Sequence, residues 1–359
     1  MPQPPAPTSG PGARPGSFCS PSSTDPALPS DDGTHPHPRR RRPSTTTSAT
    51  TTTAAAAAAV ESLLGTAKAA ETRATHALRA LLHWDELPAW RRDNAFIVTG
   101  YRPTSHSVRS SLASLLYLHN ESVNIWTHLL GAAFFAGAGA RFLWGVVAPR
   151  YATAAAGDVL AFACFFGGAA ACLGMSATFH TLCNHSPEVA MWGNKLDYTG
   201  IVFLIVGSYV PALYYGFFCH EVWMTGYLAA IALLGLGCLG VSWFEHFRTP
   251  AWRPYRALMF VGLGLSGVVP VLHALAFYSL RELDERMGLS WVVLQGALYI
   301  FGAFLYAVRW PECRFPGMFD IWGSSHQIFH VFVLLAAASH LNGMAKAFDF
   351  HHSILGARC

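Results

Sequence analysis

The sequence is short of charge. Asp, Glu, Lys and Arg make up 12% of its 359 residues, about half of what a soluble domain of ordinary composition carries. So few charges cannot hydrate a whole protein surface, which excludes an ordinary soluble enzyme. A strong charge imbalance is also lacking: the net charge is +4. The basic run Arg39 to Arg42 sits in a Pro- and Ser-rich tail. It reads as a membrane-surface or targeting segment, not as a nucleic-acid site. Closely spaced cysteine pairs are missing. Eight cysteines are scattered without a C-x-x-C, several within apolar runs, so no disulfide framework is expected. Met1 to Arg42 has no apolar core of a signal peptide, so no cleaved leader is expected. No internal repeat and no second folded domain is evident.

What is abundant is apolar sequence. Hydrophobic residues make up 52% of the chain, and they gather in runs of about 20 residues, the length that crosses a bilayer as a helix. The fold class is therefore an all-α membrane protein, a seven-transmembrane helix bundle behind a disordered N-terminal tail. The spans are placed at 122–147, 159–182, 196–218, 222–244, 257–280, 289–308 and 322–346. Before them, residues 1–53 are a Pro/Ser/Thr-rich tail with too little to bury to fold. Residues 54–110 form an amphipathic and interfacial segment. Within it, Val60, Leu63, Leu64, Ala67, Leu78, Leu81 and Leu82 recur at helical spacing. The bundle covers 111–347, and 348–359 is a short tail whose His351 and His352 are expected in solvent. Lys and Arg are in excess on the side holding residues 91–109, 195, 248–256 and 309–314. That bias predicts a cytosolic N-terminus.

Polar residues cluster on that same side. His326 and His330 lie four apart at the start of the last span, on one helical face about 6 Å apart along the axis. That is how one helix offers two metal ligands. His180 ends the second span, Asp197 begins the third, and the first opens with HNESVNIWTH, residues 119–128. Any seven-span topology keeps these groups on one side of the bilayer. Ionisable side chains in a span are costly, so they are functional candidates. Three imidazoles suit zinc and leave a fourth position for water, whose pKa zinc lowers to roughly 7. Asp197 is then a general base or an orienting group, and Ser176, one turn before His180, a hydrogen-bond partner of water or of a polarised carbonyl. Ser176 also reads as a small residue for close helix packing. His128 and His273, mid-span, read as hydrogen-bonded bundle residues. His340 is about 21 Å beyond His326 along the helix and cannot share the site. Glu121 reads equally as a helix cap, an arginine partner or a site residue.

LHNESVNIWTHLLG, SATFH, LDYTGI, VGSYVPALYYGF, WRPYRALMFVGLGLSGVVP and PECRFPGMFDIWGSSHQIFH together resemble the progestin and adipoQ receptor family, which includes adiponectin receptors and haemolysin-III-related fungal proteins. The resemblance runs from Glu86 to His340, with the motifs in family order. It implies seven spans with a cytosolic N-terminus, zinc held by His180, His326 and His330, and Asp197 and Ser176 beside the zinc water. It also implies a signalling receptor, possessing zinc-dependent hydrolase activity on lipid amides such as ceramide and tied to lipid and zinc homeostasis, in the plasma membrane or an internal one. An extracellular ligand is a further implied partner. Cys313 and Ser325 depart from the family's bulkier residues, and the N-terminal tail lies outside the resemblance.

Three readings follow. An intramembrane zinc amidohydrolase needs an open metal position, which three histidines leave. A non-catalytic receptor with structural zinc would ordinarily use four protein ligands. A channel or transporter needs polar residues at many depths, whereas here they gather at one side.

Overall fold

Backbone groups in hydrocarbon must bond within their own segment, so apolar runs of this length fold as helices. The computed structural model describes residues 56, 58–68, 81–142, 154–248, 252–356 and 358–359. Residues 56–68 are helical where described, and Val60, Leu63 and Leu64 are exposed. The amphipathic segment expected over 54–83 continues into residues 69–80, which lie outside the described residues, as does the tail at 1–53. Beyond residue 81, ten α-helices follow among the described residues: α1 (Val108–Ala113), α2 (Ser122–Phe142), α3 (Ala156–Leu182), α4 (Pro187–Gly216), α5 (Glu221–Trp243), α6 (Arg253–Leu265), α7 (Val268–Ala274), α8 (Leu280–Met287), α9 (Leu289–Val308) and α10 (Ser325–Ser353). The described residues hold no strand, only one isolated antiparallel bridge, Leu82 to Tyr101.

Six of these rods are long and apolar enough to cross a membrane: α3, α4, α5, α6 with α7, α9 and α10. The remaining expected span, the first, at 122–147, corresponds to α2, and its residues 143–147 lie outside the described residues. It is helical over 21 residues, with Asn124, Thr127 and His128 in its first turns. Several boundaries move for local reasons. Helix α4 starts nine residues before the expected span, because the Ser186 side chain caps it and Pro187 fits its first turn. Helix α10 starts later than expected, after Gly323 at φ +79°. It runs on to Ser353 because its last turns are buried. The fifth span is broken between α6 and α7, and Tyr209 Oη donates into the break, at 2.6 Å from the Gly264 carbonyl.

Small residues set how closely these helices approach. A Cβ on Gly200 would sit 2.7 Å from Cys172 Cα, and one on Gly207 would sit 2.5 Å from the Cys164 carbonyl oxygen. Helices α3 and α4 therefore touch backbone to backbone, as small-residue stripes allow in membranes. Ser176 is one turn beyond Cys172 on α3, and Asp197 is three residues before Gly200 on α4, so this contact brings the two side chains together. Across α2, α3 and α10, Phe135, Phe162, Phe165, Phe166 and Phe348 fill the core.

At the other end of the bundle, three helices meet on one carboxylate. Asp158 in the first turn of α3 accepts 2.8 Å bonds from the Tyr215 hydroxyl of α4 and from the Ala155 amide. His352 Nε2 of α10 lies 3.1 Å from the same carboxylate. His351 Nε2 is 3.1 Å from the Tyr215 carbonyl oxygen. These two histidines are buried, which corrects the expectation that they are solvated: the longer α10 carries them back into the bundle. The same end holds a Cys219–Cys359 disulfide, a pairing across 140 residues that spacing does not reveal and that corrects the expectation of none. Asp158→Ala strips partners from Tyr215 and His352, and its expected cost is at least about 2 kcal/mol. A thermal melt in detergent reads this as a lower midpoint, with Tyr215→Phe showing a smaller drop.

Candidate metal centre

Three imidazoles converge at one end of the bundle. His180 arrives from the last turn of α3, and His326 and His330 from the first turns of α10. His326 Nε2 lies 3.2 Å from His180 Nε2 and 3.2 Å from His330 Nε2. Ligand-capable atoms of all three lie within 4.8 Å of one another, and among the described residues no other His, Cys, Asp or Glu grouping does the same. His180 and His330 are buried, and His326 is partly so.

The outer nitrogens decide what the inner ones offer. His180 Nδ1 is 2.8 Å from the Glu121 carboxylate, and His330 Nδ1 is 3.1 Å from the Asn124 carbonyl oxygen. Both partners only accept, so each Nδ1 carries the proton, and in the neutral ring each Nε2 presents a lone pair inward. A proton on His326 Nε2 would answer one neighbouring lone pair at a time, whereas a cation between the three rings answers them together. The donor set therefore fits a metal ion. Glu121 sits just outside α2. The Asn124 side-chain amide donates to the same carboxylate at 2.7 Å.

Each ligand-bearing segment is pinned from outside. Arg102, fully buried, caps the carbonyl end of α3, where His180 sits. It donates to the His180 carbonyl at 2.6 Å, the Thr181 carbonyl at 2.9 Å and the Ser114 hydroxyl at 2.7 Å. Buried Glu312 caps the start of α10, accepting from the Ser325 amide at 2.8 Å and from the Ser325 hydroxyl. It also accepts from Asn94 at 3.1 Å. Asp320 accepts from the Val98 and Thr99 amides at 2.9 and 2.7 Å. The segment before α1 is thus laced to the turn before α10. Gln327 adds 2.9 and 3.2 Å bonds to the Ile321 and Asn120 carbonyls.

A cavity of about 680 Å³ opens from this cluster into the bundle. Ser176, Asp197, His128, His326 and His330 line it at this end. Ser176 is buried beside half-buried Asp197, and their side chains interact. Asp197 is outside the tight trio, so the five expected site residues meet at one site, but in two tiers. The rest of the wall is mostly aliphatic and aromatic.

His128 departs from expectation. It is not hydrogen-bonded: its ring stacks on His330 with centroids 3.6 Å apart, and both its nitrogens are buried without a partner. His273 does bond, at 2.9 Å to the Tyr227 hydroxyl. Sequence reasoning left Glu121 undecided and missed Arg102 and Glu312. The signal for Glu121 was its place in HNESVNIWTH, at the same end as the histidines. Arg102 and Glu312 lie in loops where no periodicity marks them.

The family model described as haemolysin-III related matches residues 116–341. The adiponectin receptor protein of Drosophila melanogaster is 45% identical over 268 residues, covering 74% of this chain and 59% of that protein. The ADIPOR-like receptor IZH2 of Saccharomyces cerevisiae is 44% identical over 289 residues, 80% of this chain and 90% of the yeast protein. The progestin and adipoQ receptor-like protein 1 of Caenorhabditis elegans is 41% identical over 278 residues, 77% of this chain and 62% of the worm protein. The chain thus spans about three-fifths of the two animal proteins and nearly all of the yeast one. The match takes in α2 to most of α10, including all three histidines, Glu121, Ser176 and Asp197, and the chain belongs to the haemolysin-III-related family of adiponectin-receptor-like membrane proteins.

Proposed function

We propose that this protein is a zinc-dependent hydrolase of lipid amides of the ceramide type, built into a signalling receptor. The observation that carries the reading is the convergence of three imidazoles, with His326 Nε2 at 3.2 Å from both His180 Nε2 and His330 Nε2 and all three within 4.8 Å of one another. Zinc–nitrogen bonds of about 2.0–2.1 Å in a tetrahedron put ligand nitrogens roughly 3.3 Å apart. His180, His326 and His330 would hold the ion. When bound, zinc supplies a Lewis acid that polarises a carbonyl and acidifies water. A structural zinc usually takes four protein ligands, and the trio offers three. Relatives named as receptors support the signalling role. The Lys and Arg bias supports a cytosolic N-terminus, with the cluster near the inner leaflet of the plasma membrane or an internal membrane.

The chain's own residues have separable tasks. Asp197 accepts the proton of the attacking water and passes it to the leaving amine as the amide bond breaks. Ser176 donates a hydrogen bond to the carbonyl oxygen, where negative charge develops. The apolar cavity holds the acyl chain and keeps bulk water from the reacting carbonyl, strengthening both interactions. Glu121 and the Asn124 carbonyl hold two imidazoles in one tautomer, so little reorganisation is needed.

Three measurements test this reading. His330→Ala should lower metal content to background by elemental analysis and lower the melting midpoint in detergent; unchanged zinc removes His330 from the ligand set. Asp197→Asn should keep its zinc and lose about 10²–10⁴-fold in fatty-acid release from ceramide, and turnover equal to the parent protein defeats the general-base role. Glu121→Gln should weaken zinc affinity about 10–100-fold in a chelator competition, with the fold intact; an unchanged affinity means that the carboxylate does not orient His180.

A further inference from the structure

The cavity wall carries a second polar patch that the proposed chemistry does not use. His340 lies ten residues beyond His330 on α10, about 15 Å further along the helix. It is buried, its ring packs on Phe165, and its Nδ1 lies 2.8 Å from Oε1 of buried Gln295 on α9. Tyr299 sits one turn from Gln295 on the same face of α9. His340 Nε2 and the Tyr299 hydroxyl are both buried without a completed hydrogen bond. The Ser208 backbone lies near the first and the Gln295 side chain near the second. His340, Gln295 and Tyr299 all line the cavity.

Such a patch is costly in hydrocarbon. An unanswered buried hydroxyl or imidazole nitrogen costs about 1–3 kcal/mol, and native proteins seldom leave one unless water or a ligand completes it. An ionisable group in a span raises the same question. Between the patch and the histidine trio the wall is largely apolar, so an aliphatic chain anchored at the trio passes these groups. A hydroxyl both donates and accepts, so it suits either tautomer of His340 together with the Tyr299 hydroxyl.

We infer that His340, Tyr299 and Gln295 form a hydroxyl-recognising subsite, selecting lipid chains that carry a hydroxyl well away from the head group. The inference rests on the reading that a lipid chain occupies this cavity, but not on amide hydrolysis. It is tested with full-length, metal-loaded protein in nanodiscs. Stearic acid, a mid-chain hydroxystearic acid and alpha-hydroxystearic acid compete against a fluorescent fatty acid, with metal content measured in parallel. The mid-chain hydroxy acid should bind roughly fivefold to tenfold more tightly than stearic acid, the worth of one or two good hydrogen bonds. Tyr299→Phe and His340→Leu should each erase that difference while leaving stearic acid affinity and metal content unchanged. Should His340→Leu fail to fold, Tyr299→Phe, which removes a single oxygen, decides. Equal binding of all three acids overturns the inference, as does a preference that survives in Tyr299→Phe. A preference for the alpha-hydroxy acid also overturns it, placing recognition at the histidine trio. Hydroxyl preference without ceramide hydrolysis leaves the subsite standing and removes the enzymatic reading instead.

Discussion

Two imidazoles whose outer nitrogens are committed to acceptors, and whose inner nitrogens must therefore face a third ring, are the constraint on which this structure turns. His180 is fixed by Glu121 and His330 by the Asn124 carbonyl. Glu121 directly precedes α2 and Asn124 lies in its first turn, so one short polar stretch orients ligands delivered by two other helices. Helix α2 opens with Asn124, Thr127 and His128, because its first turns serve the cluster before they serve the bilayer. Without it, α3 and α10 could still pack through their phenylalanines, but the imidazoles would lose their common tautomer and their common direction.

That orientation is useful only if the backbones carrying it stay in place. The arrangement answers this at both ends of the molecule. Near the trio, Arg102 closes the carbonyl end of α3 and Glu312 the amide end of α10, both buried and both from loops. Uncapped helix ends in a low-dielectric setting are expensive, so these charges stabilise the ends while setting where the ligands stand. At the far end, Asp158 ties α3, α4 and α10 together. Helices α3 and α10 are therefore clamped twice. Helices α5, α6 and α9 bury far less of their apolar surface in the protein. The well-buried helices hold the ligands, and the less buried ones form much of the cavity wall, a division that suits a site admitting a bulky apolar molecule.

How much of this was legible in the sequence follows from which interactions are local. Span positions were readable because bilayer thickness imposes a length on apolar runs. His326 and His330 were readable because four residues make a turn, and His180, Ser176 and Asp197 because topology sorts residues by side. What could not be read was anything decided by the return path of a loop. Arg102 looks like one more interfacial arginine, Glu312 like one more loop acid, and Cys359 like a stray terminal thiol, until the fold brings Thr181, Ser325 and Cys219 to them. His351 and His352 were misjudged because the last helix runs seven residues past its apolar stretch, held there by Asp158 and Tyr215. His128 was misjudged for a subtler reason: spacing places a ring on a face but does not say whether a bond or a stacked neighbour awaits it.

The polar groups left over make the last step. Of the buried side-chain atoms without a hydrogen bond, His128, Tyr299 and His340 each contribute one or more, and all three residues line the same cavity. Other such atoms lie elsewhere in the protein, but these face one apolar passage: His128 at the trio, His340 about 15 Å further along α10 and Tyr299 on α9. A fully saturated chain would satisfy the aliphatic lining and leave the Tyr299 and His340 atoms unanswered, at a cost that persists with the cavity full. A chain carrying its own hydroxyl supplies partners to these atoms, which makes them the source of selectivity.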